Sequence, residues 1–452
     1  MEMLFLVGAR VAFESPTKEH AGLIFLTSAM IFFIYVERET EVGNWFGQVS
    51  KLAKMFFPIF LLIIYACLLA LVDPAKSPNV WSFSLWLLVG FYCFATAYFV
   101  FSKTKRLHMN TIIFFLLLPG IVQLLVYGYD VFLAYMHGKV ANINQVKDVA
   151  RVGRKFVSLA LVELFFLALI TINLFKYRGY SISSLLLLTL SLTAIASLDA
   201  RAEYFALIVV LIVILSIGPL RKLVNKSLSK LAPNPFRSYV FFGIILTIAI
   251  TTAVMAGNDR LKVFFISIGS AFNSSYGVIR WADPQYWETV EDKDKFRHVV
   301  DSSAYLRMSW MRYGLEKFTT SPMGIGVNQY PLEELLLQDF PELGKKGELY
   351  KKSEFHSALV DMAVCMGVPG LLLTGWFFFQ ILANGFSSLR SSNQESLLVI
   401  VSCLILVGCL ARLIVDGLNE GWWYYIMVVA GTLVGLAEAM KSLPAKPKSR
   451  SA

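Results

Sequence analysis

Long apolar runs are the feature that most constrains what this chain can fold into. The runs extend over about 17–21 residues, which is the length that an α-helix needs to cross a bilayer. Of the 452 residues, 57% are hydrophobic and only 16% are charged. Because the hydrocarbon core offers no partner for backbone polar groups, a spanning chain satisfies them within helices. We therefore predict an all-α fold, a polytopic membrane bundle of 11–12 transmembrane helices.

The predicted spans are joined by short polar loops, with one long exception before the ninth span. They lie near residues 22–36, 55–72, 81–101, 111–127, 156–176, 182–199, 202–218, 238–256, 368–385, 397–416 and 421–440. A weaker apolar piece, 2–14, is either a short twelfth span or an interfacial helix.

Basic residues set the predicted orientation. The cationic loops and tail fall on one side of the bundle, at Lys103, Lys105, Arg106, Lys176, Arg178, Arg221, Lys222, Lys226, Lys230, Arg237, Lys441, Lys446, Lys448 and Arg450. That side is cytoplasmic by the positive-inside rule. Orientation thus accounts for the net charge of +10, and no nucleic-acid partner is predicted. The chain divides into N-terminal spans (1–256), an outer segment (257–355) and C-terminal spans with a basic tail (356–452).

One basic loop conflicts with this topology. Lys147, Arg151, Arg154 and Lys155 fall on the outer side, where such a cluster is disfavoured. Either a span is miscounted, or these charges face anionic lipid or ligand phosphates. The second interpretation is preferred because moving the cluster inside would break three other assignments. Arg151 and Arg154 are therefore candidates for lining a site.

The outer segment has a helical pattern of its own. Over residues 303–318, Leu306, Trp310 and Tyr313 recur at helical spacing, which predicts an amphipathic helix packed on the bundle. The sequence after it, Pro322 to Gly326, breaks helices. Residues 331–338 predict a second short helix and 344–352 a polar turn. The many aromatic residues fit a membrane interface and equally fit sugar stacking.

Three side chains are candidates for chemistry on a phosphorylated lipid. Arg201 lies between two apolar segments, Arg307 on the predicted outer helix, and His356 where the outer segment re-enters an apolar helix. Arginine suits bidentate phosphate recognition, and imidazole titrates near neutral pH. Taken singly, each has an ordinary alternative: a snorkelling arginine, a solvated charge and a histidine at a helix entry. Together they share one membrane face.

Other chemistry has less support. The five histidines are scattered, and the five cysteines lie in apolar segments without metal-ligand spacing, so we predict neither a metal site nor a cofactor. Gly324-Ile325-Gly326 lacks the lysine of a phosphate loop. Arg312, Asp416 and Glu420 are further candidates for lining the site. The alternative for the two acids is pairing with Arg412 or helix capping.

The order of these pieces resembles the O-antigen ligase and polymerase family of bacterial envelope glycosyltransferases. The resemblance covers roughly residues 182–385 and rests on Arg201 between apolar spans, Arg307 and Trp310, Pro-x-Gly-x-Gly at 322–326, His356, and Gly-Val-Pro-Gly-Leu at 367–371. The family often has Ser-Arg where this chain has Ala-Arg, and His-Asn where it has His-Ser. We therefore carry over only Arg201, Arg307 and His356.

The resemblance implies an inverting, metal-independent transferase in the inner membrane with its active site on the periplasmic face. The donor would be an undecaprenyl-pyrophosphate-linked glycan, held by Arg201 and Arg307, and His356 would be the general base. In the favoured reading, a ligase, the acceptor is lipid A–core; in a polymerase it is a second lipid-linked unit. The long outer loop would suit a lid over a bulky acceptor, which favours the ligase. A transporter is the alternative from another class, and it would predict inverted repeats and helices broken near mid-bilayer.

Overall fold

A computed structural model describes residues 42–74, 77–102, 121, 124–125, 128–129, 131–137, 190, 201–217, 271, 302–328, 330–341, 354–387, 396–415, 417 and 420–441. These residues contain helices and no strand, which confirms the all-α prediction. The predicted spans 22–36, 111–127, 156–176, 182–199 and 238–256, the piece 2–14 and the turn 344–352 lie wholly or largely outside the described residues.

Each span predicted for the described part of the chain overlaps a helix, but the first of these helices begins at Val42, thirteen residues before the predicted start at 55. They are α1 (Val42–Val72), α2 (Ser77–Ser102), α3 (Arg201–Ser216), α4 (Ser302–Thr320), α5 (Pro331–Asp339), α6 (Ala358–Ser387), α7 (Ser396–Val415) and α8 (Glu420–Lys441). Within them, Val49–Val72, Asn79–Phe99 and Ala358–Ser387 are long and apolar enough to cross a membrane, and shorter apolar stretches lie in α3, α7 and α8. The chain is a multi-pass membrane protein.

Helices α2 and α8 pack closely in the main hydrophobic core, to which α1, α2, α3, α6, α7 and α8 contribute. A Cβ added at Gly431 would collide with the carbonyl oxygen of Phe94, and one added at Gly435 would lie 2.7 Å from that of Tyr98. Small residues let helix backbones approach this closely inside a membrane. Helix α1 packs on α2 through Phe56, whose ring meets that of Phe94 edge-on at 4.8 Å.

Helix α6 begins earlier than predicted. The sequence predicts a span over 368–385, whereas α6 starts at Ala358 and is interrupted by non-helical Gly367. Ser357 allows the early start because its Oγ accepts the backbone N–H of Val360 at 3.3 Å, as an N-cap does. The nine residues 358–366 thus form a separate helical segment beside the outer segment, and the non-helical Gly367 separates it from the predicted span.

Helices α4 and α5 of the outer segment are present as predicted, and α4 ends at Thr320, just before Pro322. They share a small hydrophobic core with the start of α6, here called the loop cluster, made of Trp310, Tyr313, Leu332, Leu335, Leu336, Phe355, Val360 and Val364. Apolar side chains on the outer segment thus fix it to the membrane helices.

A polar network also joins α4 to α5. The Tyr313 hydroxyl donates to Asp339 Oδ2 at 2.7 Å, and Lys317 Nζ donates to Asp339 Oδ1 at 2.8 Å. Burial, reinforced by the bond to Asp339, raises the pKa of Tyr313. Partial burial acts to raise the pKa of Asp339, but the bonds from Lys317 and Tyr313 outweigh it and hold that pKa below its usual value. The carboxylate therefore stays ionised and keeps the two helices together.

Candidate functional site

His356 stands in a strained backbone conformation. Its φ is +53°, and no other non-glycine residue among those described has a positive φ. A side chain in this left-handed region costs on the order of 1–3 kcal/mol, and such residues concentrate at functional sites. The surrounding contacts must therefore hold the residue in place.

Both neighbours of His356 are anchored by hydrogen bonds. The backbone N–H of Phe355 donates to Asp361 Oδ1 at 3.1 Å, and the Ser357 hydroxyl donates to the carbonyl oxygen of Ile414 at 2.7 Å. The first bond ties the segment to its own helix α6, and the second ties it to the end of α7. Fixed on either side, the histidine backbone has little freedom to relax.

The imidazole of His356 lies flat against Trp310. The two ring centroids are 5.2 Å apart and the ring planes differ by 13°. Trp310 is only 4% exposed and belongs to the loop cluster. Its indole is therefore covered by the histidine and the core, so this tryptophan serves as a support for His356 and is not open for sugar stacking.

Arg307 lies on the face of α4 that meets residues 354–360, here called the His356 segment. Arg307, Trp310 and Gly314 follow each other at positions i, i+3 and i+7, which form one stripe on a helix. The C-terminal end of this stripe contacts the His356 segment, since a Cβ added at Gly314 would collide with Val360 and lie 3.0 Å from the Phe355 ring. Arg307 is half-buried and lies one helical turn before Trp310 in α4. The structure thus brings this arginine to the side of α4 that carries the histidine.

The Pro-x-Gly-x-Gly loop, residues 322–326, docks into the break of α6. In a regular helix the Val364 carbonyl would accept from the N–H of residue 368, but the Val368 N–H donates instead to Pro322 at 2.8 Å. The Cys365 carbonyl would need an N–H at position 369, where proline has none. The loop supplies the missing donors, from Ile325 to Val364 at 2.9 Å and from Gly326 to Cys365 at 3.0 Å.

Glycines make this docking sterically feasible. Gly324 and Gly367 both have positive φ, +86° and +62°. A Cβ at Gly324 would lie 2.5 Å from the Cys365 oxygen, and one at Gly367 would collide with the backbone of 322–324. The Tyr65 hydroxyl of α1 also donates to the Met323 carbonyl. We call residues 322–326 together with the break at Gly367 the loop clamp; it holds α4, and with it Arg307 and Trp310, against α6.

The end of α7 completes the surroundings of His356. A Cβ added at Gly417 would lie 3.9 Å from His356 Cα and 2.5 Å from a carboxylate oxygen of Glu354. Two residues before Ile414, Arg412 is 3% exposed within an otherwise apolar helix. Ionisable side chains buried in membrane helices are expensive and mark functional regions. Arg412 and Glu354 are residues that the sequence analysis did not assign to the site.

Arg201 is the first residue of α3, and the structure describes its backbone but not its side chain. Helix α3 packs against α7, where a Cβ added at Gly408 would lie 3.5 Å from the Val210 side chain. The arginine therefore begins a helix that contacts the same α7 whose end touches the His356 segment.

The remaining candidates are not brought to His356 by the described residues. Arg312 lies two residues after Trp310, on the opposite side of α4, and donates to Glu316 at 2.8 Å. Glu420 begins α8, with only its backbone described. Asp416, Arg151 and Arg154 lie outside the described residues, although Val415 and Gly417 on either side of Asp416 are described.

Comparison with known proteins identifies the segment that contains this arrangement. Residues 184–375 match the family model described as O-Antigen ligase. No curated protein matches the chain. The matched segment contains α3, α4, α5 and the first part of α6, so it includes Arg201, Arg307 and His356. The resemblance predicted from the sequence is confirmed over these residues, and it supports a membrane glycosyltransferase of the ligase or polymerase type.

Proposed function

We propose, from the O-antigen ligase match of residues 184–375, that this chain transfers a glycan from an undecaprenyl-pyrophosphate donor to a lipid A–core acceptor. His356 is the general base, and Arg201 and Arg307 bind the donor pyrophosphate. The observation that carries the proposal is the backbone of His356, held at a φ of +53° by anchored neighbours and backed by Trp310. A histidine held in the left-handed region by contacts on both sides fits a residue whose orientation matters for function.

A register argument supports the assignment of Arg201. The topology set by the basic loops makes α3 and α7 antiparallel. Arg201 precedes Val210 by nine residues, and Gly417 follows Gly408 by nine. Since Val210 lies beside Gly408, Arg201 lies about 13.5 Å from this contact along α3, and Val415, the last residue of α7, lies about 10.5 Å from it along α7 in the same direction. Arg201 is thus near the end of α7 that Gly417 follows. Gly417 lies against His356, so the register favours a shared site.

The proposed reaction is a single displacement. The acceptor hydroxyl oxygen attacks the anomeric carbon of the donor while its proton passes to a nitrogen of His356. The bond from the anomeric carbon to the pyrophosphate oxygen breaks, and the undecaprenyl pyrophosphate leaves with the electron pair. Two guanidinium groups stabilise the negative charge that develops on it. One direct displacement inverts the anomeric configuration, and the activated leaving group removes any need for a metal or a nucleotide.

We place this site on the periplasmic face of the bacterial inner membrane, because the basic loops orient the bundle that way. A cysteine introduced at position 345, in the outer segment, tests the placement. An impermeant thiol reagent should label it in intact spheroplasts, with the parent chain as control for its own cysteines. Labelling that occurs only after permeabilisation would contradict the topology.

The family match does not separate a ligase from a polymerase, and we favour the ligase because the long outer segment suits a bulky acceptor. The clamp and the loop cluster attach residues 302–328 to α6, which fits a fixed wall beside the acceptor better than a mobile lid. A polymerase that uses a second lipid-linked repeat unit is the alternative with the same chemistry. The broken helix α6 is the one described feature that a transporter would share. The break in α6, however, binds residues 322–326 of the outer segment instead of lining a mid-bilayer cavity.

Two experiments test the proposal. Purified protein with a lipid-linked donor and a lipid A–core acceptor should form product in EDTA without nucleotide; a reaction that EDTA stops contradicts the mechanism. Envelope glycans of a deletion strain then distinguish the acceptors. Long chains that are not attached to lipid A–core indicate a ligase, and cores capped with a single unit indicate a polymerase.

A further inference from the structure

We propose that Trp310 is a positioning residue that sets the plane of the His356 imidazole for proton transfer. The inference rests on the proposed function, in which His356 is the base. It assigns to a buried tryptophan of α4 a role in catalysis that acts through the histidine and requires no contact with substrate.

The stack on Trp310 constrains the orientation of the imidazole. Hydrogen bonds on either side fix the backbone of His356, through Phe355 to Asp361 and through Ser357 to Ile414. On this fixed backbone, the plane of the ring is set by rotation about the side-chain bonds. The indole of Trp310, parallel to within 13° at 5.2 Å, limits that rotation because a tilted ring would lose the stack or collide with it. Aromatic pairs at this separation favour such offset stacking.

Trp310 can act as a fixed surface because it is itself immobile. It is almost wholly buried, and it lies in the loop cluster with Leu332, Leu335 and Phe355. The loop clamp then holds the whole of α4 against α6. A base must place its nitrogen within hydrogen-bond reach of the proton that it removes, and a misplacement of about 1 Å can slow a reaction about 100-fold.

The stack also suits the protonated state. When His356 accepts a proton it becomes an imidazolium, and a cation over the face of an indole is attracted to it. A phenyl ring would retain a flat surface and part of this attraction. An aliphatic side chain of similar hydrophobicity would retain neither. The inference therefore distinguishes aromatic from aliphatic replacements at this position.

Steady-state transfer by purified variants tests the role. Trp310→Leu should lower kcat by about 10- to 100-fold while the donor KM stays within about twofold, since the arginines that bind the pyrophosphate remain. Trp310→Phe should recover most of the loss. Trp310→Met, whose flexible side chain adapts better to the space left by the indole, is measured in parallel in case the leucine variant does not fold. Tyr305→Leu, at a buried aromatic of the same helix outside the loop cluster, is the control and should retain kcat.

A double-mutant cycle separates positioning from general destabilisation. In a His356→Ala background, adding Trp310→Leu or Trp310→Met should change the residual rate little, because a support has no effect once the base is gone. A loss as large as in the parent would overturn the inference, as would a Trp310→Met variant with parental kcat. If His356→Ala itself kept full activity, the proposed function would fail first. If His356→Ala were impaired while the tryptophan variants were not, only this inference would fail.

Discussion

Two regions of this protein are held together in different ways. The pair α2 and α8 is joined by close apolar packing, with Gly431 and Gly435 against the backbone of α2 and aromatic rings around them. The site region, residues 302–328 with 354–366, combines the small apolar loop cluster with several directional contacts. These are the three backbone bonds of the loop clamp, the bonds that flank His356, and the stack on Trp310.

The difference shows what each region has to do. Apolar packing holds helices together in a membrane but tolerates small rotations and shifts, because dispersion contacts are individually weak and not directional. Hydrogen bonds and ring stacking fix orientation, because they weaken steeply when their angles change. A scaffold needs only the first property. A proton-transfer site needs the second, and the backbone hydrogen bonds between residues 322–326 and α6 supply it next to the His356 region.

The largest expected effect comes from the arginines. Arg201→Lys or Arg307→Lys should lower transfer by about 100-fold or more, because an ammonium group cannot reproduce the planar fork that grips a pyrophosphate. Arg312→Lys is the matched change on the opposite side of α4, where Arg312 pairs with Glu316, and it should retain most of the activity. Transfer assays on variants at equal membrane levels measure this. Near-normal rates in both Arg201→Lys and Arg307→Lys would reduce these residues to ordinary surface or snorkelling charges.

A smaller effect is expected from opening the loop clamp. Gly367→Ala places a side chain in a left-handed conformation and against the backbone of Pro322, which should lower the free energy of unfolding by about 2–3 kcal/mol. Transfer by the folded fraction should fall as well, since α4 loses its register on α6. Gly375→Ala in the same helix meets nothing within 4 Å and should be neutral in thermal unfolding and in transfer. Equal behaviour of the two variants would refute the clamp.

A variant of the α2–α8 pair should lose stability but keep its activity. Gly431→Ala introduces a methyl group against the Phe94 carbonyl and should destabilise the α2–α8 pair by about 1–3 kcal/mol. The described contacts of α8 with α6 at Phe378 and Gly385 lie more than ten residues beyond the break at Gly367, so kcat per folded molecule should stay close to that of the parent. Thermal unfolding in detergent and active-site-normalised kinetics give the two quantities. A kcat that falls together with stability would show that the two regions are not independent.

Much of the described fold follows from local sequence pattern. The length of the apolar runs located the described spans, helical periodicity located the amphipathic α4, and Pro322 located the end of α4. These features depend on residues a few positions apart, so a single sequence is sufficient to predict them. The start of α6 was placed ten residues too late because a hydropathy pattern does not report an N-cap serine or a helix that leaves the apolar region.

The contacts that build the site were not accessible in this way. Trp310 and His356 are 46 positions apart, and the partners of the loop clamp are about 40 apart. Local sequence pattern does not predict that a tryptophan of an amphipathic helix will lie under a particular histidine. Nor does it predict that two glycines with positive φ will face each other. The pattern found the residue types for the chemistry, while tertiary packing alone determined which side chain supports which. Buried Arg412 in α7 was the one unassigned residue with a visible sign, a charge in an apolar span.

The most direct test of the account compares transfer with donor binding in His356→Ala. With purified protein, a lipid-linked donor and an acceptor, transfer should fall by about 100-fold or more, the range for losing a general base. The dissociation constant for the donor should stay near that of the parent, because Arg201 and Arg307 provide the pyrophosphate contacts. A His356→Ala variant with full activity would contradict the account. A variant that no longer binds donor would also contradict it, since His356 would then be a ligand contact and not the base.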